Sequence, residues 1–292
     1  MNAIKLNNPY ATALDGLVIE DPVHAFFDWC KEREQIRIRR ESGHPPPWTD
    51  DPVFQQGRFL NVFREDDKGS RAVVQFCQAV KDQRSDLVHA LFFARWCNHH
   101  LTLNMIGAEM LTHPLALQAR LRDLGDQWCS EVYPVVPLQW EGKSYDRFTA
   151  CTELFPQIVP FLLEAIQTAD GNVVTATETI NATFQMENDF PIFMALIDVS
   201  WFFPDLIRPD SPVPSGIGAI PYLDRLQHHL GCADHHEVAE KMIAKQATLW
   251  PEAKRSFTPV DIEYLSCECR KYFSYLNGTK RFEGRNLFIP RT

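Results

Sequence analysis

After Asp51, the residues Arg58, Asn61 and Glu65 recur at i, i+3 and i+7, and Arg64 stands beside Asn61. On a helix these polar groups share one face, while Phe59, Leu60, Val62 and Phe63 supply the apolar one. Two arginines and an amide on one stripe suit an anion and the edge of a base; an exposed face stitched by Arg/Glu pairs has the same pattern. Asp198 lies in the apolar run FPIFMALIDVSWFF, with Met194 and Phe202 four residues to either side. A carboxylate shielded from water becomes a stronger base, which suits proton abstraction, although one bonded to backbone would look the same in sequence. Near the C-terminus Glu268 and Lys271 stand at i, i+3 beside Glu263 and Tyr264. That spacing permits a coupled acid and ammonium group against an aromatic wall, or an ordinary surface pair. Ser215-Gly216-Ile217-Gly218 precedes a helical pattern, and its glycines would let backbone N–H groups approach a phosphate closely, as a simple helix–helix turn also would.

Other familiar constellations are absent. His228, His229, Cys232, His235 and His236 crowd together, with His99 and His100 elsewhere, but the spacing matches no tetrahedral ligand pattern, so no metal site is assigned. There is no GxxxxGK[ST] phosphate loop, nucleophile elbow or HExxH.

These groups must be positioned by helices. Asp21 to Arg40 reads as an amphipathic helix ended by the HPPPW connector, and Asp51 with Pro52 as the start of a helix through about Asp67. Ser85 to Gly107 reads as one long core helix and Leu115 to Leu124 as another. Val132 to Tyr145 carries the one strand signal, a short hairpin around a glycine turn. Pro156 and Pro160 interrupt a helical pattern that runs to about Ala169, and Asp189 is placed to cap the apolar helix that Pro204 terminates. AIPYLDRLQHHL has helical spacing, and Thr258, Pro259 and Asp261 open a last helix that Asn277-Gly278 closes, with Ile262, Leu265, Cys269, Tyr272 and Leu276 toward the core. No repeat, low-complexity tract or Gly/Ser linker marks a boundary, so residues 1–292 are expected to form a single, mainly α domain, with room for two lobes around a cleft.

With 45% apolar residues among 292, the chain can bury a substantial core. The start MNAIKLNNPYATALDG lacks the features of a signal peptide, and no apolar run reaches the roughly 18 residues of a membrane span, so a cytoplasmic protein without a membrane partner is expected. Eight cysteines without a CxxC read as reduced, packed thiols. A net charge of −9 argues against attachment to nucleic acid by bulk electrostatics. The charge is uneven, however: Arg270, Lys271, Lys280, Arg281, Arg285 and Arg291 face one acid, Glu283, and Lys31 to Arg40 holds five basic residues against two acidic ones. Those stretches could form a local basic groove, or be a solvated helix face and a charged tail.

Taken together, PWTDDPVFQQGRFLNVFREDD, Pro47 to Asp67, resembles the signature of the α-glutamyl/putrescinyl thymine pyrophosphorylase family of phage DNA-hypermodification enzymes. The likeness rests on Asp51-Pro52, Arg58-Phe59, Asn61 and Arg64-Glu65-Asp66-Asp67. IEYLSCECRKY is similar in Glu263, Leu265, Cys267-Glu268 and Lys271, with Arg270 where the family usually has an acid. The apolar helix with Asp198, followed by Gly216-Ile217-Gly218, resembles the family's helix and Gly-rich hairpin, with Ile217 in place of the more familiar proline.

The resemblance implies a helical fold akin to helix-hairpin-helix DNA glycosylases, and a transferase acting on 5-hydroxymethyluracil already pyrophosphorylated in double-stranded DNA by a separate kinase. An amino acid, glycine favoured, or a polyamine such as putrescine would displace pyrophosphate at the exocyclic methylene carbon. A closed site for that substitution favours extruding the nucleotide, at a cost of a few kcal/mol. On this reading Arg58 and Arg64, with Asn61 and Glu65, bind pyrophosphate and base edge, and Asp198 or Glu268 takes the proton of the incoming ammonium. Lys271 meets the donor's carboxylate or the leaving phosphates, and Ser215, Gly216 and Gly218 meet the DNA backbone. A divalent ion travelling with pyrophosphate would find ligands in Asp66 and Asp67, though no sequence feature demands a cofactor. A phage-encoded enzyme of this kind would act in the host cytoplasm. Two other readings share the fold: a base glycosylase, for which the hairpin offers Ser215 and the nearest downstream acid is Asp234, and a non-catalytic DNA-binding partner of the kinase.

Overall fold

A computed structural model describes residues 8–130, 135–284 and 287–288 of the chain. The fold is mainly helical, with one small two-stranded antiparallel sheet. In chain order the elements are α1 (Pro22–Glu41), α2 (Pro52–Gln56), α3 (Lys68–Cys77), α4 (Arg84–Cys97), α5 (His100–Ile106), α6 (Pro114–Asp123), β1 (Leu138–Trp140), β2 (Lys143–Tyr145), α7 (Arg147–Thr149), α8 (Phe155–Thr168), α9 (Val173–Phe184), α10 (Phe190–Phe202), α11 (Ile220–Leu230), α12 (His235–Leu249) and α13 (Pro259–Leu276). They divide between two compact units, Met1–Asp66 with Val213–Thr292, and Asp67–Pro212. Among the described residues no helix is long and apolar enough to cross a membrane.

In the first unit local chemistry sets the helix starts. The Asp21 carboxylate accepts from the backbone N–H groups of Val23 and His24 and opens α1, Asp51 does the same for α2, and Thr258 with Asp261 forms a capping box on α13. Phe26, Phe27 and Trp29 of α1 are buried with Tyr222 and Leu226 of α11, Met242 of α12, and Ile262, Leu265 and Cys269 of α13. Each fully buried side chain of this size contributes about 1.5–3 kcal/mol. The expected apolar stripe of α13 stops early: Tyr272 is partly buried and Leu276 is exposed.

The expected helix from Asp51 to Asp67 is corrected. Only Pro52–Gln56 is α-helical, and after an irregular stretch Arg64–Asp66 forms a single 3-10 turn. Residues 61–64 are all buried, which no helix with a solvated face allows, and the Leu60 N–H donates to the Glu268 carboxylate instead of to a carbonyl one turn back. Arg58, Asn61 and Glu65 therefore do not share a helical stripe.

The second unit is built on α4, in which every residue from Leu87 to Cys97 is buried and which packs against α8 and α10. The single helix expected over Ser85 to Gly107 breaks at Asn98, which adopts a left-handed conformation with φ 44° and separates α4 from α5. Strands β1 and β2 form the expected hairpin, with Glu141 and Gly142 at positive φ as its turn; residues 132–134, which the sequence reading included, lie outside the described residues. A π turn, Ala150–Leu154, joins α7 to α8, which accommodates Pro156 in its first turn and Pro160 inside. Helices α3, α9 and α12 were not expected. The run VVTATETINATF of α9 is rich in β-branched residues, and burial of Val173, Ala176, Ile180 and Phe184 overrides that local preference. For α12 a signal existed: Asp234 accepts from the Glu237 N–H and caps the helix.

Candidate functional site

Helix α13 presents one polar flank in the first unit. Because Ile262, Leu265 and Cys269 anchor it in the core, Glu263, Cys267 and Arg270 are held against the loop before α11, and Glu268 and Lys271 against the segment after α2. Glu268 is 5% exposed and accepts from the Leu60 N–H at 2.9 Å and from Lys271 Nζ at 2.7 Å. The Lys271 ammonium lies 5.0 Å from the centre of the Phe59 ring, so the coupled acid and ammonium beside an aromatic wall is present. Phe59 itself packs edge-on against Trp29 and Phe54.

Arg270 and Lys280 extend this cluster. The Arg270 guanidinium is buried, donates from Nε to the Gly218 carbonyl at 3.0 Å and stacks over Tyr10 at 4.1 Å. Burial, then the neighbouring Arg270 and Lys271 charges, push the Lys280 ammonium below its ordinary pKa. Tyr275 is buried beside them; its hydroxyl has no hydrogen-bond partner among the described residues, and burial followed by the Glu268 charge pushes it up to about 12. Lys271 thus pairs with Glu268, while Arg270 and Lys280 lie near enough for their charges to act on the same neighbourhood, an arrangement suited to a bound anion. Of the basic tail noted in the sequence, Arg285 and Arg291 lie outside the described residues.

The glycine loop sits at the other end of the same flank. The Gly216 N–H donates to Glu263 Oε1 at 3.0 Å, and a Cβ on Gly218 would meet Cys267 Sγ at 2.6 Å. Both glycines are explained by close packing on α13, and the Gly216 N–H already has the Glu263 carboxyl as a partner. Burial raises the Glu263 carboxyl to about 7 against the opposing pull of the Gly216 N–H and the Arg64 charge. The helix–connector–glycine–helix order read from the sequence is present, with α10 in the second unit and α11 in the first.

The remaining expected site residues are dispersed. Arg58 is exposed. Asn61 is buried, accepting from Arg33 Nη2 at 2.7 Å and donating to the Asp66 carbonyl at 2.9 Å. Arg64 is buried close enough to Glu263 for their charges to interact. Glu65 is gripped by Arg255 through two contacts of 2.9 Å; burial opposes its charge, but that pair outweighs it and holds the carboxyl at about 2. Asp66 is held by Lys254 at 3.0 Å, whereas Asp67 opens α3 in the second unit. Arg37, within the basic run of α1, is bound by Glu34 and Glu41. Asp198 is fully buried in the second unit and pairs with Arg95 Nε at 2.5 Å. Asp234 caps α12. Among the described residues no three His, Cys, Asp or Glu side chains converge as a metal set. Sequence reading missed Arg270, Tyr275 and Lys280 as one group; the basic excess after Arg270 was its only trace.

Residues 20–123, roughly a third of the chain, match the family model described as 5-hmdU DNA kinase, helical domain. The match ties the chain to hydroxymethyluracil DNA kinase-related thymine modification. No curated protein and no solved structure matches the chain.

Proposed function

We propose that this protein is a DNA-hypermodification transferase that displaces pyrophosphate from 5-pyrophosphoryloxymethyluracil in DNA with the amine of an amino acid, glycine favoured, or a polyamine. The observation that carries this reading is the cluster of Arg270, Lys271 and Lys280 around Glu268, on a chain matched to a thymine-modification family. Carbon–oxygen cleavage at the methylene carbon leaves negative charge on pyrophosphate, which three convergent cations stabilise. The attacking amine must shed a proton, and Glu268 is the carboxylate placed beside those cations to take it. The loop Ser215 to Gly218, bonded to Arg270 through the Gly218 carbonyl, would approach the DNA backbone from the same flank.

Nucleoside mass spectrometry on DNA containing 5-pyrophosphoryloxymethyluracil, incubated with the protein and a pool of amino acids and polyamines, tests this. A new thymidine adduct with pyrophosphate release is expected, and Lys271→Ala should cut its rate by about 10²-fold, as loss of one charge-stabilising donor does elsewhere. Unchanged nucleosides would refute the transferase, and abasic sites would point to a glycosylase. A second reading has its own support: the match is to the helical domain of a kinase, while this sequence has no GxxxxGK[ST]. A non-catalytic DNA-binding partner of such a kinase would bind the modified DNA and yield no product.

A further inference from the structure

The groups of the α13 cluster are nearly closed to solvent: Glu268 is 5% exposed, Arg270 4% and Tyr275 6%. A nucleotide or an anion reaches them only if a covering segment moves. Residues 279–284, directly after α13, are that cover on the Tyr275 side. The Phe282 ring lies flat on the Tyr275 ring, with centres 4.2 Å apart and planes within 8°, and Lys280 Nζ stands 5.8 Å from the centre of the same ring. Phe59 meets Tyr275 edge-on at 6.1 Å, which brings Lys271, over Phe59, into the same neighbourhood. Beneath this cover the Tyr275 hydroxyl is buried without a hydrogen-bond partner among the described residues, a cost that a polar ligand would remove.

The segment is fastened at its ends and lightly held between them. Thr279 Oγ1 donates to the Ala13 carbonyl and the Lys280 N–H to the Ser274 carbonyl, each at 2.9 Å. Further along, Leu287 pairs with Gly57, and the Phe288 N–H donates to the Gln56 carbonyl at 2.7 Å. Between these points Arg281, Phe282 and Glu283 make no hydrogen bond to any other described part of the chain, so the Phe282 stack is the latch. Gly278 at φ 76° and Gly284 at φ 55° flank it, and no atom lies within 4 Å of where a Cβ would stand on either, which gives the backbone freedom and clearance of a hinge.

We propose that residues 279–284 are a strap that gates the α13 cluster: lifted from Tyr275 it admits the pyrophosphate-bearing nucleotide, and closed again it sets Lys280 against the anion beside Arg270 and Lys271. The direction of coupling follows from charge. Closed and empty, the strap holds Lys280 near enough to Arg270 and Lys271 for their charges to oppose it, and an anion among the three turns that repulsion into attraction. The anion therefore binds the closed strap more tightly and, by linkage, favours closure by the same factor. The inference rests on placing the transferase site at the α13 cluster.

Trypsin cleavage after Arg281 in the full chain, followed by mass spectrometry, reports the population with the strap lifted, and inorganic pyrophosphate is the probe. Saturating pyrophosphate should slow that cut at least about 5-fold while other tryptic sites are cut as before. Phe282→Ala, which removes the latch and no charge, should speed the cut roughly 2–10-fold without pyrophosphate, after correction for cleavage of the unfolded chain. Lys280→Ala should lose the slowing at a pyrophosphate concentration that saturates wild type. A cut that pyrophosphate leaves unchanged, slowing shared by every tryptic site, slowing kept in Lys280→Ala, or a rate unaltered by Phe282→Ala would overturn the gate. Because the readout is cleavage, the two readings fail separately: protection at Arg281 without a thymidine adduct would refute the transferase alone, and an adduct without protection the strap alone.

Discussion

Glu263 illustrates how burial of one carboxyl makes stability depend on pH. Its folded value of about 7 lies above the ordinary 4.5, so between these the native state keeps a proton that the unfolded chain has released. Stability from this group is therefore complete below pH 4.5 and is lost as pH rises toward 7. Glu263→Gln, which keeps an oxygen for the Gly216 N–H but cannot ionise, should be more stable than wild type at pH 8 by about 1–3 kcal/mol and equal to it at pH 4. Urea denaturation at the two pH values checks this, and an equal difference at both would reject it. The opposite case is Glu65, held near 2 by Arg255, whose contribution disappears only as pH falls below 4.5.

Elements position these groups through contacts that tolerate little change. At Gly218 an added Cβ would meet Cys267 Sγ at 2.6 Å and Arg270 Nη2 at 3.2 Å, so Gly218→Ala should cost about 1–3 kcal/mol. Pairing it with Cys267→Ala should recover most of that loss in thermal melts; no recovery would place the strain elsewhere. Between α4 and α10 the buried Arg95–Asp198 pair plays the corresponding part in the second unit. Asp198→Asn removes one charge and strands the other, with an expected loss of about 3–5 kcal/mol in chemical denaturation. A loss under 1 kcal/mol would mean that the pair is not held as described.

At the scale of the molecule, the proposed function requires a chain of net charge −9 to meet DNA through a small cationic region. Three cations on the α13 cluster predict a plot of log affinity against log salt with a slope of about −3, since each neutralised phosphate of duplex DNA contributes roughly −0.9. Titrations of modified duplex at several salt concentrations measure it, and a slope near −8 would demand a broad basic face that the described residues do not display.

The sequence by itself determined the mainly helical class, the starts of α1, α2 and α13 and the β1–β2 turn, because caps, Pro at the first turn and turn glycines act within a few residues. It also paired Glu268 with Lys271, one helical turn apart. Only the tertiary structure decided which polar residues are packed and which are grouped for chemistry. Asp198 finds Arg95 from 103 residues away, and the Leu60 N–H finds Glu268 from 208 residues away, ending the helix that the local pattern favours. Likewise Ser215, His235 and Asp224 join in a hydrogen-bonded chain, at 2.8 and 2.9 Å, because α11 and α12 both pack on α13. The physical reason is the same throughout: a buried polar group must be satisfied by whatever the fold brings to it, and sequence periodicity carries no information about a partner so distant along the chain.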